Sequence, residues 1–249
     1  MKLRFPILFL LAALSGAAAR AAESPATLIP RGDSVFAGRT LSTGAAEAIQ
    51  YYDEAIKANP KDGEALWRRA RAEHWLGDHA EAKADKTKYL EKAIDDGKAA
   101  IELLPQSPDA HFWLGAAYGS YGEVKGIMKS LHMVGPIRQE MQAINKINER
   151  FQGGAGYRVL GIVDYKVPGF VGGSKSRARI ELGQALNIDP ANAFNLYYMA
   201  EFLSQTGDRM QALAFLNRLA SSTTTPDVDG PDLESIQAKG QKLREKLRG

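Results

Sequence analysis

The sequence predicts an all-α fold, a short right-handed array of about five helix pairs closed by a C-terminal capping helix. Three observations predict it. The segment His111-Phe-Trp-Leu-Gly-Ala-Ala-Tyr-Gly-Ser-Tyr-Gly122 sets Leu114, Gly115 and Tyr118 at the spacing of one helix face, with Gly122 placed to end the helix. An alanine, four residues and a proline recur in phase with it, as Ala55 to Pro60, Ala100 to Pro105 and Ala185 to Pro190. Each proline is followed ten positions on by a small residue, Ala70, Gly115 or Ala200, which lets a neighbouring helix approach. At the end of the chain, Leu233, Ile236, Leu243 and Leu247 recur at helical spacing. Such a helix with one polar face suits the cap that an open array needs.

Anchors of this kind at a period of roughly 34 residues read as tetratricopeptide-like units. The array opens with a helix near residues 45–58, where Ala48, Tyr52 and Ala55 form a stripe. The second unit, from Pro60 to Pro105, is longer than the period by about three helical turns, so one extended helix keeps its buried face in phase. Ala82, Tyr89, Ala93, Gly97, Ala100 and Leu104 trace that face, and Gly97 is explained by a close helix neighbour.

In the third unit the stripe Val124, Ile127, Met128, Leu131 stops at Gly135-Pro136, and Ile137, Met141, Ile144 and Phe151 resume it. This predicts a second helix broken in two, since proline suits the first turn of a new helix. Leu160 and Gly161 hold first-helix positions of a fourth unit, and Ala178, Leu182 and Ala185 hold second-helix positions. Valine and tyrosine around residues 157–165 favour a strand by propensity, but the repeat phase requires helix. The turn between them is enlarged over residues 166–175 by Pro168, Gly169, Gly172 and Gly173. A fifth pair covers residues 194–205 and 209–220.

Residues 1–21 read as a signal peptide: Lys2 and Arg4, an apolar stretch over 5–14, and small residues at Ala19-Arg-Ala21. Residues 22–40, rich in Ala, Ser, Pro, Gly and Thr, read as a flexible leader, and Arg31-Gly-Asp33 within it as chance. The repeat domain is expected over 41–226, and an acidic loop with the capping helix over 227–249. The formal charge is +3, from 32 basic and 29 acidic residues. Losing Lys2, Arg4 and Arg20 with the signal brings it to zero, which removes any case for nucleic acid. No cysteine is present, so neither a disulfide nor a lipid-accepting thiol is available. The expectation is a periplasmic product without a direct membrane anchor.

The segments Gly115-Ala-Ala-Tyr-Gly119, Gly154-Ala-Gly-Tyr-Arg-Val-Leu-Gly161, Tyr165-Lys-Val-Pro-Gly-Phe-Val-Gly-Gly173 and Tyr198-Met-Ala-Glu-Phe-Leu203, spread over residues 45–225, carry a resemblance. The chain resembles the periplasmic T-component of TRAP-type (tripartite ATP-independent) transporters. That resemblance implies docking of a periplasmic solute-binding protein, homotrimeric assembly, and an apolar cavity that takes or relays a small organic ligand. A general cell-envelope scaffold that binds peptides or assembly partners is the alternative.

The expected ligand- or partner-binding residues are Phe170, Tyr157, Arg158, Tyr165, Lys166, Tyr198 and Glu201. Aromatics with polar tips can line a groove, though Trp113, Tyr118 and Tyr197 also fit repeat packing. Phe170 stands apart, a large hydrophobe inside a glycine-rich turn. Ser174 reads as the cap of the following helix, with Lys175 facing water. A carboxylate seated at that helix start, assisted by Arg158 or Lys166, is the other reading. A phosphate loop would need glycine where Ser174 stands. No cofactor, metal or catalytic residue is expected: His74, His79, His111 and His132 make no i, i+4 ligand pair, and Asp227-Val-Asp229-Gly-Pro-Asp232 with Glu234 lacks a complete calcium loop. Asp in that loop suits a helix N-cap instead.

Overall fold

The structure, a computed structural model, describes residues 24–40 and 43–249, so the expected signal segment 1–21 lies outside it. Eleven α-helices and no strand occur among the described residues. They are α1 (Pro25–Ala37), α2 (Ala45–Ala58), α3 (Gly63–His79), α4 (Lys83–Leu103), α5 (Pro108–Lys125), α6 (Ile127–Asn148), α7 (Ala155–Lys166), α8 (Lys175–Ile188), α9 (Ala193–Gln205), α10 (Arg209–Ala220) and α11 (Gly230–Arg248). Consecutive helices pack as pairs, α1 with α2 through α9 with α10. The array is therefore five pairs with α11 against the last.

The first member of the first pair is where a flexible leader was expected. Pro25 opens α1, and Leu28, Gly32 and Phe36 form a buried stripe at every fourth position. A Cβ at Gly32 would come within 2.5 Å of the Tyr52 ring, so α1 docks closely on α2. Leu28 and Phe36 enter separate apolar clusters with Ala55 and Ala65, and with Tyr52, Ala72 and Trp75. That burial holds α1 in place. Asp33, part of the Arg-Gly-Asp tripeptide, binds the Tyr52 hydroxyl and both Arg68 and Arg71.

Two further expectations need correction. The buried face of α4 comprises Leu90, Ala93, Ile94, Asp96, Gly97 and Ala100, while Ala82 is the exposed residue before the helix starts. Gly97 does meet a close neighbour, Leu114 of α5, 3.0 Å from where its Cβ would be. The third unit breaks at Gly126, not at Gly135-Pro136. Gly126 takes φ +90°, a left-handed value that suits glycine, and so separates α5 from α6. Pro136 instead sits inside a continuous α6. Proline has no N–H for the His132 carbonyl, but His132 and Gly135 are exposed, where water can satisfy that group.

First helices of successive pairs touch one another: α1 with α3, α3 with α5, and α7 with α9. Second helices are held apart by comparison, so the first helices form the inner, more tightly curved layer. Solenoids use that concave layer for binding. Capped turns start the first helices α3, α5 and α9, and one second helix, α10. Asp62, Ser107, Asn192 and Asp208 each cap the following helix with a side-chain oxygen. The enlarged turn after α7 stands as expected, a short 3-10 turn at Gly169–Val171, and Ser174 caps α8 by accepting from the Arg177 N–H at 3.3 Å.

Candidate functional site

A polar seam runs along the inner layer and joins each first helix to the next. Asp33 of α1 pairs with Arg68 and Arg71 of α3 at 2.8 and 2.7 Å. His74 of α3 meets Ser120 of α5 at 3.0 Å, and its ring lies 5.7 Å from that of Trp113. Lys166 of α7 donates to Glu123 of α5 at 2.9 Å. Glu201 of α9 accepts from the Tyr165 hydroxyl of α7 and, at 3.2 Å, from Tyr197 within α9. Every contact except the last crosses between units, where a side chain one repeat away supplies the partner.

Five of the seven expected site residues meet here. Arg158 is buried on α7 and donates to the Asn195 Oδ1 at 2.9 Å and to the Gln152 carbonyl at 3.2 Å. No carboxylate lies within ion-pair range of it among the described residues. Burial holds its pKa down, to about 10, so it remains a cation at neutral pH. Tyr198 feels Lys166, Glu201 and Arg158 together; burial is the largest influence and raises its pKa to about 12. Burial opposes the charge on Lys166, but Glu123 and Glu201 outweigh it and raise its pKa. Tyr165 is pushed up by burial and then by Glu201, so it acts only as a donor. The cluster holds positions and offers hydrogen bonds. It contains no activated nucleophile.

Phe170 and Tyr157 stand outside the cluster. Phe170 is 87% exposed at the tip of the turn after α7. Tyr157 is half-buried, and no hydrogen bond among the described residues ties it to the others. Beneath the same turn, sequence reasoning missed Asp164, whose fully buried carboxylate accepts from Arg138 and twice from Arg177. Burial works to raise its pKa, but Arg177 and Arg138 prevail and lower it. Glu181 nearby goes the other way, raised to about 7 by burial and then by Asp164. Glu123 and Asn195 were not found because their partners lie on other units, and Asp164 because Arg177 reaches it across the turn of its own unit; one sequence carries no periodic mark of either pairing.

The C-terminal helix also reaches the inner layer. Asp229 caps α11, as the acidic loop suggested, and no cluster of His, Asp and Glu suited to a metal occurs among the described residues. Lys239 of α11 shares a cavity of about 450 Å³ with Gly77 and Asp78 of α3, Lys83 and Lys86 of α4, and Glu123 of α5. The cavity carries both charges, and it lies where the last helix faces the early units.

This fold is an all-α, tetratricopeptide-like repeat array. Among solved structures, the chain is similar to a thermophilic TPR protein of Thermus thermophilus, at a TM-score of 0.65 and 19% identity, covering 88% of this chain and 100% of the other. It also matches the MamA protein at a TM-score of 0.49 and 16% identity, over 86% and 94% of the two chains. The family model that matches is that of the regulator of microtubule dynamics proteins 1-3, over residues 29–150. A curated relative, regulator of microtubule dynamics protein 1 of Mus musculus, is 28% identical over 91 residues, 36% of this chain and 30% of that protein. The match thus spans less than a third of the relative's length.

These findings correct the resemblance to TRAP-type T-components: the family likeness lies with another group, and it falls on α1 to α6. Of the glycines in the phrases that suggested the transporter family, Gly115, Gly154, Gly156 and Gly161 sit where helices pack closely, as such arrays require, while Gly119, Gly169 and Gly172 have open space beside them. Those at packed positions do not discriminate between families.

Proposed function

We propose that this protein is a non-enzymatic interaction scaffold of the cell envelope, which holds a peptide or an assembly partner against its inner helical layer. The observation that carries this reading is the seam of Asp33, Arg68, Arg71, His74, Trp113, Lys166, Tyr198 and Glu201, which presents aromatic faces and both charges along one curved surface. Such a mixture suits an extended or helical segment, with aromatic contact for affinity and charge for register. Similarity in fold to TPR proteins supports the scaffold class. The envelope assignment rests on Lys2, Arg4, the apolar stretch 5–14 and Ala19-Arg-Ala21.

A photo-crosslinking residue tests the reading when placed in living cells at Trp113 or Tyr198 on the inner layer, or at Met210, which is 79% exposed on α10. The scaffold reading expects one partner crosslinked from the inner positions and none from Met210. Crosslinks from Met210 alone would overturn it. Fractionation of the same cells checks the envelope assignment, which a wholly cytoplasmic, full-length product would sink.

A further inference from the structure

Arg39 follows α1, yet its charge is met by the start of α11. Its guanidinium donates to Asp229 at 2.6 and 3.1 Å and to Asp232 at 2.6 Å. The Arg39 side chain is 2% exposed, against 41% for Asp229 and 29% for Asp232. It is held between the Phe36 and Trp75 rings, 4.1 and 4.2 Å from their centres, and its Nη1 also donates to the Phe36 carbonyl at 3.2 Å. The early units thus supply a fixed, desolvated receptor for two carboxylates, while the late helix supplies carboxylates that are partly in water.

The rest of α11 lies on the last helix pair, where Gln237 donates to the Leu219 and Ser222 carbonyls at 3.2 and 3.1 Å and Gly240 lies close against Leu219. Only Ile236 and Gly240 are fully buried, and Leu233, Leu243 and Leu247 are half-buried against α9 and α10. Beside Lys239, the cavity of about 450 Å³ leaves space between α11 and the early units. The helix carries an acidic group in its first turn, one apolar stripe, and Lys246 and Arg248 in its last turn.

From this we infer that α11 is a resident ligand of the inner layer, clasped by Arg39, and that the partner segment which displaces it is an amphipathic helix with two carboxylates at its N-terminal end. This rests on the scaffold reading and names the chemistry of its partner. The clasp hinders every incoming helix, because the competitor must replace charge-assisted bonds to two carboxylates at Arg39. Access to the groove is then set by the chain itself, through the effective concentration of its own end.

The probe is a synthetic peptide of residues 227–249 carrying a fluorophore, titrated into the full chain and followed by anisotropy. Asp229→Asn with Asp232→Asn removes the charges while asparagine keeps the helix cap. The peptide should bind this double variant at least tenfold more tightly than the unaltered chain, and adding Arg39→Gln should abolish the gain. Amide exchange in α11 should be at least tenfold faster in the double variant, with α9 and α10 unchanged. Equal peptide affinity for the two chains, or unaltered exchange in α11, would overturn the clasp. A partner still crosslinked at Trp113 or Tyr198 under that outcome would leave the scaffold reading standing, so the two can fail separately.

Discussion

Arg177 grips Asp164 with two parallel bonds, Nε to Oδ2 at 2.8 Å and Nη2 to Oδ1 at 2.9 Å, although Arg177 is half-exposed and Asp164 is fully buried. The pair spans the turn that carries Phe170, so one buried carboxylate fixes the base of that turn while its tip stays in water. Asp164→Ala strips Arg138 and Arg177 of their shared acceptor and should cost about 3 kcal/mol, read by chemical denaturation. Asp164→Asn should cost less. Either change should lower the Glu181 pKa from about 7, because a like charge beside it is removed; a carboxyl-labelled NMR titration reads the shift.

Glu73 gives the chain a pH dependence. It is 3% exposed, and its Oε2 has no hydrogen-bond partner among the described residues. Burial, then the neighbouring Asp96, raises its pKa from 4.5 to about 8. A carboxyl raised on folding binds its proton more tightly in the folded chain. Its stabilising effect is full below pH 4.5 and is lost as pH climbs through 8. Glu73→Gln should therefore raise the Tm at about pH 9 and leave it almost unchanged at about pH 4.5. The gain at high pH should be on the order of a few kcal/mol.

His111 should respond with the same sign. It is hydrogen-bonded to Glu140 at 2.6 Å and to the Pro105 carbonyl at 3.1 Å, and the Glu140 bond raises its pKa above 6.5. The stability this pair supplies is complete below the ordinary histidine value and fades as pH rises past the folded one. Glu140→Gln should bring the His111 pKa back down in an NMR titration, and flatten the fall in stability above the ordinary histidine value.

Two glycines should separate packing from propensity. A Cβ at Gly173 would fall 1.7 Å from the Val167 carbonyl oxygen, so Gly173→Ala should cost about 3 kcal/mol and distort the turn. Gly183 lies within α8 with nothing within 4 Å of its missing Cβ. Gly183→Ala should stabilise by about 1 kcal/mol. Thermal unfolding of both variants checks the contrast.

Phe170→Ala should leave stability within about 0.5 kcal/mol of the unaltered chain, since the side chain is 87% exposed. The same variant should reduce the yield of partner crosslinked from Tyr198. A yield that does not change removes Phe170 from the interaction surface.

Much of this fold was legible because repeat packing writes itself locally. Ala55, Ala100 and Ala185, each five residues before a proline, are fully buried, and the Leu182 and Ala200 positions follow in phase. Gly97 could be read as a contact, and Ser174 as a cap, from single residues. The first helix was hidden because its packing residue is Gly32 and its flanks are rich in turn formers, so composition spoke for a leader. Gly126 was overlooked beside the louder Gly135-Pro136, although a positive φ breaks a helix where an exposed proline need not. Within the site, Arg158, Tyr165, Lys166, Tyr198 and Glu201 were found because they share two inner helices. Their partners Glu123 and Asn195, and the whole Arg39 clasp, depend on where distant units meet.

That clasp has a consequence for how such a chain can change its length. Repeat arrays lengthen by gaining a unit, because each unit touches only its neighbours. Here Arg39 and Asp229 are bonded across 190 positions. One more helix pair would part them by about 10 Å, the spacing of packed helices, and no side chain could bridge it. An added unit would therefore have to give up the bonds at Arg39, whereas length added within a unit, as in the long α4, keeps them.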